Sequence, residues 1–315
     1  MSDSSGIGVL LPGQGAQDVG MGRELATQDA RIADLWRRAD AVLGAPLSRV
    51  AWEGPAEELT RTENAQPALL VHSYTVWSAL PETVRARVVV GAGHSLGEFT
   101  AYLLAGALDF DDAVRLVRRR GELMAEAGDR RPGTMAAVLG LEPAGVEASC
   151  AAASSGTAVA ANFNAPGQIV ISGDVAAVEE AGQAALAAGA KRVLPLNVSG
   201  AFHSPLMEEA KVELERALAD VPVSDPGFPV VANATAKPVT TAAEARRLLV
   251  EQLTSPVRWV ESLETMRASG IAEWLELGSG RVLSGLLKRL DRAASVAALD
   301  GPESIRTYAE AEPND

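Results

Sequence analysis

A serine at the centre of the segment GHSLG, residues 93–97, has the sequence form of a nucleophile elbow. In that motif a strand turns sharply into a helix, and glycines on both sides of the serine let the two backbones pass closely. The apolar run at residues 88–90 precedes the motif and a helical pattern follows it. Ser95 would then present its hydroxyl at a helix N-terminus, where N–H groups stabilise developing negative charge. The alternative is an ordinary glycine-rich turn in which Ser95 only caps the helix.

A serine hydroxyl requires a general base, and the chain offers three histidines. His203 lies in a loop between two patterned segments, where catalytic side chains are commonly carried, and is the best candidate. A capping or surface role is its alternative. His94 adjoins the serine, but we expect its side chain to point away from the hydroxyl and to be structural. His72 falls in a helical stretch and is interpreted as a satisfied polar residue.

A glycine-rich loop, PGQGAQ at residues 12–17, directly follows the first apolar run. It superficially resembles the dinucleotide fingerprint, but Asp18 replaces the third glycine and no G-K-S/T follows, so nucleotide binding is disfavoured. Beside a nucleophile elbow, such a loop can aim a second backbone N–H at an oxyanion. One donor is the residue after the serine, Leu96, and Gln14 is the natural second donor.

Arginines are concentrated at residues 115–120, in the segment RLVRRR. Helical spacing distributes them over different faces, since only residues three or four apart are neighbours. A solvated helix face is the usual fate of such a run. An arginine of this run that is buried toward a pocket would bind a substrate carboxylate through two parallel hydrogen bonds.

The order of strand-like and helical segments predicts an α/β fold with a largely parallel sheet. The middle of the chain differs, because it shows the order β-α-β-β-α-β of a ferredoxin-like unit inserted into the larger fold. We therefore predict a large domain at residues 1–131 and 199–315 and a ferredoxin-like small domain at residues 132–198. One long helix is predicted over residues 24–43, and the acidic tail from Gly301 is expected to be frayed.

The composition excludes several classes of protein. The chain has 315 residues, of which 47% are hydrophobic and 22% charged, so it can form a large core and is not disordered as a whole. Its net charge of −13 disfavours nucleic acid as a partner. Cys150 is the only cysteine and so no intrachain disulfide or Cys/His metal site is expected, nor any cofactor. From the sequence we expect no leader and no membrane-spanning segment, and we predict a cytoplasmic protein.

Five motifs taken together resemble the malonyl-CoA:acyl-carrier-protein transacylases of fatty-acid and polyketide synthesis. They are residues 12–17 (PGQGAQ), 93–98 (GHSLGE), 120–121 (RG), 162–168 (NFNAPGQ) and 202–204 (FHS). The resemblance runs from Leu10 to about Leu299, and the order and spacing of the motifs make it more specific than any one of them. It implies an α/β-hydrolase-like large domain with an inserted ferredoxin-like small domain, in agreement with the pattern above.

The resemblance also implies roles for individual residues. Ser95 would be the acyl-carrying nucleophile and His203 its base, with the backbone N–H groups of Gln14 and Leu96 as the oxyanion hole. Arg120 matches the arginine that holds the free carboxylate of malonate. Gln252 matches the residue whose main-chain carbonyl orients the histidine, which explains why no aspartate completes a triad.

One further position bears on the acyl group. Phe202 immediately precedes the predicted base, where a phenylalanine accompanies malonyl and a serine accompanies methylmalonyl in the family. A methyl-sized difference is worth only about 1–3 kcal/mol of binding free energy, so Phe202 favours malonyl without excluding methylmalonyl. Gly200 departs from the histidine often found there in modular polyketide acyltransferases, which leaves the choice between fatty-acid and polyketide synthesis open.

The activity implied is transfer of a malonyl group from malonyl-CoA to the phosphopantetheine thiol of an acyl carrier protein, by a ping-pong mechanism. The candidate docking surfaces for the carrier protein are two groups of basic side chains, for each of which a solvated helix face is the alternative: Lys191 with Arg192, and Arg281, Lys288, Arg289 and Arg292. Three alternatives stay open: a transacylase for a different or larger carrier-bound acyl group, a proofreading thioester hydrolase, and a scaffold without chemistry. The hydrolase is disfavoured by Arg120 and the scaffold by the intact Ser95 and His203. A monomer is expected.

Overall fold

The computed structural model of the chain describes residues 6–198 and 200–311. The strands are β1 Gly6–Leu11, β2 Val88–Gly93, β3 Gly133–Leu139, β4 Ala158–Ala165, β5 Gln168–Asp174, β6 Arg192–Pro195, β7 Val230–Val231, β8 Pro238–Val239, β9 Ile271–Leu277 and β10 Val296–Leu299. The helices are α1 Arg23–Gln28, α2 Ala30–Leu43, α3 Leu47–Glu53, α4 Ala56–Thr60, α5 Thr62–Ala79, α6 Glu82–Arg85, α7 Leu96–Leu104, α8 Phe110–Arg130, α9 Pro143–Ala151, α10 Val175–Ala187, α11 Glu208–Ala219, α12 Ala242–Glu251, α13 Trp259–Ala268, α14 Val282–Leu290 and α15 Pro302–Ala311. Short 3-10 turns occupy Pro205–Met207 and Gln252–Thr254.

The larger sheet has the strand order β10-β9-β1-β2-β7-β8 and is parallel except for β8. Its central strand β1 is apolar on both faces, as expected of a parallel strand covered by helices on both sides. Ile7, Val9 and Leu11 pack into one core cluster, whereas Leu10 packs into another. This alternation follows from the period of two along a strand.

The smaller sheet has the strand order β4-β5-β3-β6 and is antiparallel throughout. Helices α9 and α10 cover one face through a core cluster that includes Val138, Val146 and Ile171. The other face belongs to the main core, to which Met135 and Val170 contribute. The connectivity and strand order are those of a ferredoxin-like unit.

The predicted fold class is confirmed, with a mainly parallel sheet in a large unit and a separate antiparallel sheet in a small one. The antiparallel sheet runs from Gly133 to Pro195. The domain bounds at residues 132 and 198 remain a prediction, and Ser199, which marks the second bound, lies outside the described residues. Within the described residues, 6–198 and 200–311, no helix is long and apolar enough to cross a membrane.

Two local predictions are wrong. The helix predicted over residues 24–43 is divided into α1 and α2 at Asp29, whose backbone is extended and whose side chain caps the second helix by accepting the N–H of Arg31 at 2.8 Å. The predicted frayed tail is helix α15 over residues 302–311. It is held because Ile305 and Tyr308 are buried against the core and the Tyr308 hydroxyl donates to Glu273 Oε2 at 2.9 Å.

The turn from β2 into α7 passes very close to the neighbouring backbone. A Cβ on Gly93 would lie 1.8 Å from the carbonyl carbon of Gly97, and a Cβ on Gly97 would lie 2.1 Å from the Leu11 carbonyl oxygen. Between these glycines Ser95 adopts φ 51° and ψ −106°, a strained backbone conformation for a residue with a side chain. Close packing of three backbone segments therefore defines the position of Ser95.

We expect Gly93→Ala to lower the free energy of unfolding by about 3 kcal/mol or more, since the added methyl group meets backbone that cannot move aside. Gly285→Ala is the matched control, because its Cβ in α14 meets open space and the change should stabilise the protein by about 0.5–1 kcal/mol. Urea unfolding of both variants checks this. Equal midpoints for the two variants would contradict the packing described here.

Candidate active site

Ser95 lies at the turn between β2 and α7, at the carboxyl end of the parallel strands, and opens into a cavity of about 330 Å³. Ligands of open α/β sheets bind at that edge of the sheet. The Ser95 Oγ is 2.8 Å from His203 Nε2 and 3.1 Å from an Arg120 guanidinium nitrogen. The structure thus brings together three residues that are distant in the sequence.

His203 is oriented by two backbone carbonyls. Its Nδ1 lies 3.0 Å from the Gln252 carbonyl oxygen and 3.2 Å from that of Ser255. Because carbonyls only accept hydrogen bonds, Nδ1 carries the proton and Nε2 is left as the acceptor that faces the Ser95 hydroxyl. The carbonyls thereby orient the imidazole in the way that an aspartate does in a triad.

His203 is only 4% exposed, and this burial lowers its pKa to about 3, with a further contribution from the positive charge of Arg120. The hydrogen bonds to the carbonyls act in the opposite direction but do not compensate. The imidazole is therefore neutral at pH 7, which is the state that a general base needs.

Arg120 extends from α8 into the interior and is 1% exposed. One terminal nitrogen donates to Gln66 Oε1 at 2.7 Å, and the other donates to Gln252 Oε1 at 2.8 Å and to the Ser95 Oγ. The guanidinium also lies over the ring of Phe99, 5.2 Å from its centroid. Burial lowers the pKa of Arg120 to about 10, so the group remains a cation at pH 7.

The other arginines of the run point elsewhere. Arg118 donates to the Glu63 carbonyl, Arg119 pairs with Glu126 at 3.0 Å, and Arg115 pairs with Asp112 at 3.0 Å. The helical spacing divided the run among faces, as predicted, and Arg120 is the member of the run that reaches the cavity.

Gln14 and Leu96 both line the cavity around Ser95. Leu96 is the first residue of α7, where the N–H groups have no partner within the helix. The Gln14 side chain accepts a hydrogen bond from Thr62 Oγ1 at 2.9 Å, which anchors the glycine-rich loop to α5. The oxyanion role of the two backbone N–H groups remains a prediction.

Phe202 is 5% exposed and forms part of the apolar wall of the cavity. Met124, Val170 and Leu196 line the same cavity. A side chain at Gly200 would approach the Phe202 ring to 3.1 Å, so the glycine leaves the ring room. A larger groove of about 940 Å³ between α10 and β6 contains none of the predicted site residues.

Asn233 is a site residue that the sequence analysis missed. It is fully buried, and its side chain accepts the Ser95 N–H at 2.7 Å and donates to the Gly93 carbonyl at 2.7 Å. Both ends of the strained turn are thus tied to one carboxamide. Asn233 follows the two-residue strand β7 at the carboxyl edge of the parallel sheet, and that position was the available signal.

Glu98 and the side chain of Gln252 were also missed. Glu98 Oε2 accepts from the Asn233 N–H at 3.0 Å and from Gln252 Nε2 at 2.7 Å. Gln252 Nε2 also contacts the Ser95 carbonyl oxygen at 3.0 Å. A buried network of polar side chains therefore holds the backbone of Ser95 through hydrogen bonds.

The two other histidines lie outside this network. His94 lines the same cavity, but its Nε2 lies 2.7 Å from Asn164 Oδ1 and its ring lies 5.4 Å from that of Trp259, so its hydrogen-bond partner is Asn164 and not the Ser95 hydroxyl. The interpretation of His72 as a satisfied residue is wrong. Its Nδ1 has no hydrogen-bond partner among the described residues, and burial lowers its pKa to about 4.

Two features lie apart from the serine. Lys288 and Arg289 are exposed on α14, and the Arg289 guanidinium contacts the Gln168 side chain of the small unit. In the described part of the chain, no group of three or more His, Cys, Asp or Glu side chains could hold a metal ion.

Comparison with known proteins places this arrangement in context. The family model described as acyl transferase domain matches residues 9–292. The chain is 45% identical over 303 residues to the malonyl CoA-acyl carrier protein transacylase of Bacillus subtilis, covering 96% of this chain and 95% of that protein. It is 42% identical over 297 residues to the transacylase of that name from Escherichia coli, covering 94% and 96%.

Solved structures give the same result. The malonyl-CoA:acyl carrier protein transacylase of Xanthomonas oryzae superposes with a TM-score of 0.93 at 40% identity, over 100% of both chains. A malonyl-transacylase solved in complex with its type II PKS acyl-carrier protein superposes with a TM-score of 0.92 at 40% identity, over 98% of this chain and 100% of the other.

The lowered pKa of His203 predicts how Ser95 reacts with phenylmethylsulfonyl fluoride, a neutral reagent that labels activated serines. Because the imidazole stays unprotonated above about pH 3, the labelling rate should stay within about threefold between pH 5 and 8. A histidine with an ordinary pKa of about 6.5 would lose about thirtyfold over that range. A decline with a midpoint near that ordinary value would contradict the neutral buried base, and Ser95→Ala gives the background.

Proposed function

The chain belongs to the acyl transferase domain family, and on that premise we propose that it is a malonyl-CoA:acyl-carrier-protein transacylase. The observation that carries the proposal is the contact of the Ser95 hydroxyl with both His203 and the buried cation of Arg120. The first contact supplies a nucleophile with its base, and the second supplies a partner for an acyl group that ends in a carboxylate.

The first half-reaction acylates Ser95. His203 Nε2 takes the proton of the Ser95 hydroxyl as the Oγ attacks the thioester carbonyl carbon of malonyl-CoA. The carbon–sulfur bond then breaks, and the CoA sulfur leaves as a thiol with the proton that His203 held. The malonyl group remains as an ester on the Oγ.

The second half-reaction reverses these steps with a new thiol. His203 takes the proton of the phosphopantetheine thiol of an acyl carrier protein, and the sulfur attacks the ester carbonyl carbon. The Ser95 Oγ leaves and regains its proton from His203. The sum of the two half-reactions exchanges one thioester for another, and it requires no redox step or external cofactor.

Both half-reactions pass through a tetrahedral oxyanion, and we propose that the backbone N–H groups of Leu96 and Gln14 bind it. This is supported by the place of Leu96 in the first turn of α7, where its N–H has no partner within the helix and the helix dipole is positive. It is also supported by the place of Gln14 among the residues that line the same cavity. Donors fixed in advance of the reaction stabilise such charge without reorganisation.

Arg120 is proposed to bind the malonyl carboxylate. In the free protein one of its nitrogens donates to the Ser95 Oγ, and this hydrogen bond is available to the substrate once the Oγ has become an ester oxygen. A guanidinium can hold a carboxylate through two parallel hydrogen bonds, a geometry that a lysine does not reproduce. This fixes the ester in a position where water attacks it poorly.

The finer assignments follow from the same site. The Phe202 ring occupies the wall next to His203, and we propose that it favours malonyl over methylmalonyl by filling the space of an α-methyl group. The exposed pair Lys288 and Arg289 offers a positive surface for an acidic carrier protein. We place the reaction in the cytoplasm and propose a monomeric enzyme of fatty-acid or polyketide synthesis; one solved relative is in complex with a type II PKS acyl-carrier protein.

Brief separate incubation with malonyl-CoA, methylmalonyl-CoA and acetyl-CoA, followed by intact-mass measurement, tests the proposal. We expect a malonyl adduct on the native protein and none on Ser95→Ala, because the ester forms on the Oγ. Free CoA without an adduct would instead indicate a hydrolase. Neither product from folded protein would indicate a carrier-bound donor or a scaffold.

Arg120→Ala is expected to abolish the preference for malonyl over acetyl groups. Loss of a buried, hydrogen-bonded charge pair costs about 2–5 kcal/mol, so kcat/KM for malonyl-CoA should fall by about thirtyfold or more. Acetyl transfer should change much less, since it uses no carboxylate contact. Arg120→Lys is the matched control, and its kcat/KM for malonyl-CoA should lie between those of the native protein and Arg120→Ala. Undiminished malonyl transfer in Arg120→Ala would show that Arg120 does not bind the substrate.

A further inference from the structure

Glu98 is a fully buried carboxylate for which the transfer reaction has no evident use. It lies in the first turn of α7, with 0% exposure, below the serine turn. Its Oε2 accepts two hydrogen bonds, from the Asn233 N–H and from Gln252 Nε2. Its Oε1 has no hydrogen-bond partner among the described residues.

The Gln252 carboxamide connects Glu98 to Arg120. Its Oε1 accepts from the Arg120 guanidinium at 2.8 Å, and its Nε2 donates to Glu98 Oε2 at 2.7 Å. Guanidinium and carboxylate are therefore joined through a single polar group, and all three side chains are buried. Buried charges persist only when an opposite charge compensates them, and Glu98 is the carboxylate that does so for Arg120.

The proposed substrate brings a second carboxylate to the same guanidinium. One cation cannot compensate two buried anions, and two carboxylates that share a site do not both stay ionised. A proton on Glu98 would remove the excess negative charge. The Oε1 is free to carry that proton, because no hydrogen bond has to break.

We propose that Glu98 is the resident counter-charge of Arg120 and that it takes up one proton from the solvent when the malonyl carboxylate binds, so that substrate entry leaves the charge of the site unchanged. This inference rests on the proposed function, since it requires a substrate with a free carboxylate. Glu98 acts through Gln252 and Arg120 and touches no reacting atom. It is a positioning residue that tunes recognition of the substrate charge.

Among the titratable groups packed around Glu98, only Glu98 itself changes its protonation state near neutral pH. Burial raises its own pKa to about 7, against the opposing effects of its hydrogen bonds and of Arg120. Arg120, from α8, stays charged with a pKa of about 10, and His203 stays neutral with a pKa of about 3. Tyr102 on α7 stays neutral because burial raises its pKa, with smaller contributions from Glu98 and from Glu244 on α12.

The affinity for malonyl-CoA should fall as the pH rises above the pKa of Glu98. Below about pH 7 Glu98 is already protonated in the free protein, and the malonyl carboxylate binds without proton uptake. Above that pH Glu98 is ionised and must gain a proton, so the Kd for malonyl-CoA should rise by up to about tenfold per pH unit. Acetyl-CoA has the same CoA portion but no free carboxylate, and its Kd should not show this rise.

Titration calorimetry at pH 8 on Ser95→Ala, which binds without acyl transfer, measures the proton directly. Repeating each titration in phosphate and in Tris, which differ in ionisation enthalpy, gives the number of protons taken up per ligand. We expect close to one more proton for malonyl-CoA than for acetyl-CoA. Equal numbers for the two ligands would overturn the inference.

Glu98→Gln in the same background is the matched variant, since glutamine has the shape of the protonated carboxyl group. We expect the proton uptake to disappear and the variant to bind malonyl-CoA up to about thirtyfold more tightly than its parent at pH 8.5, because residue 98 no longer has to be neutralised. Structural damage would weaken binding and so could not produce this gain. Uptake that persists in Glu98→Gln would assign the proton elsewhere and contradict the inference.

Failure of the inference and failure of the proposed function give different results. A malonyl adduct on Ser95 without the extra proton would retain the function and remove the role of Glu98. Absence of the adduct would reject the proposed function itself. If Glu98→Gln does not fold, the comparison of malonyl-CoA with acetyl-CoA on Ser95→Ala still decides the matter.

Discussion

The close passage of Gly93, Gly97 and the Leu11 carbonyl is the constraint on which the rest of the site depends. No side chain fits between these backbones, so the chain has to turn with Ser95 in a strained conformation. Strain of this kind persists only when the surroundings hold it in place. Asn233 does so, because its side chain bonds the backbone on both sides of the serine. Geometry that is costly locally is thereby stabilised by packing and hydrogen bonds from elsewhere in the sheet.

Gln252 joins the catalytic and the charged parts of the site. Its main-chain carbonyl fixes the proton of His203 on Nδ1, while its side chain lies between Arg120 and Glu98. One residue in a 3-10 turn therefore sets the tautomer of His203 and connects the Arg120 guanidinium to the Glu98 carboxylate through hydrogen bonds. The same burial that keeps His203 neutral strengthens every electrostatic interaction in the cavity.

The elements follow from the chain over much of their length. Apolar runs predicted β1 and β2, the alternation of segments predicted the parallel sheet, and the β-α-β-β-α-β order predicted the antiparallel one. The two wrong predictions have local causes. Asp29 makes a capping hydrogen bond that divides the predicted helix, and Ile305 and Tyr308 are buried, which holds the tail as a helix. Neither a capping geometry nor a distant apolar partner can be read from hydrophobic periodicity alone.

The sequence by itself determined the fold class and the serine turn, because the glycine spacing of that motif records a backbone conformation. It also determined, through helical spacing, that the run at residues 115–120 had to divide among faces. Only the tertiary structure decided that Arg120 reaches the Ser95 hydroxyl and that Asn233, Glu98 and the Gln252 side chain form the network beneath it. The physical reason is that these contacts join residues far apart in the chain, by 25 positions for Ser95 and Arg120, 138 for Ser95 and Asn233 and 154 for Glu98 and Gln252. Their geometry depends on how helices and strands pack together, and no short-range pattern encodes it.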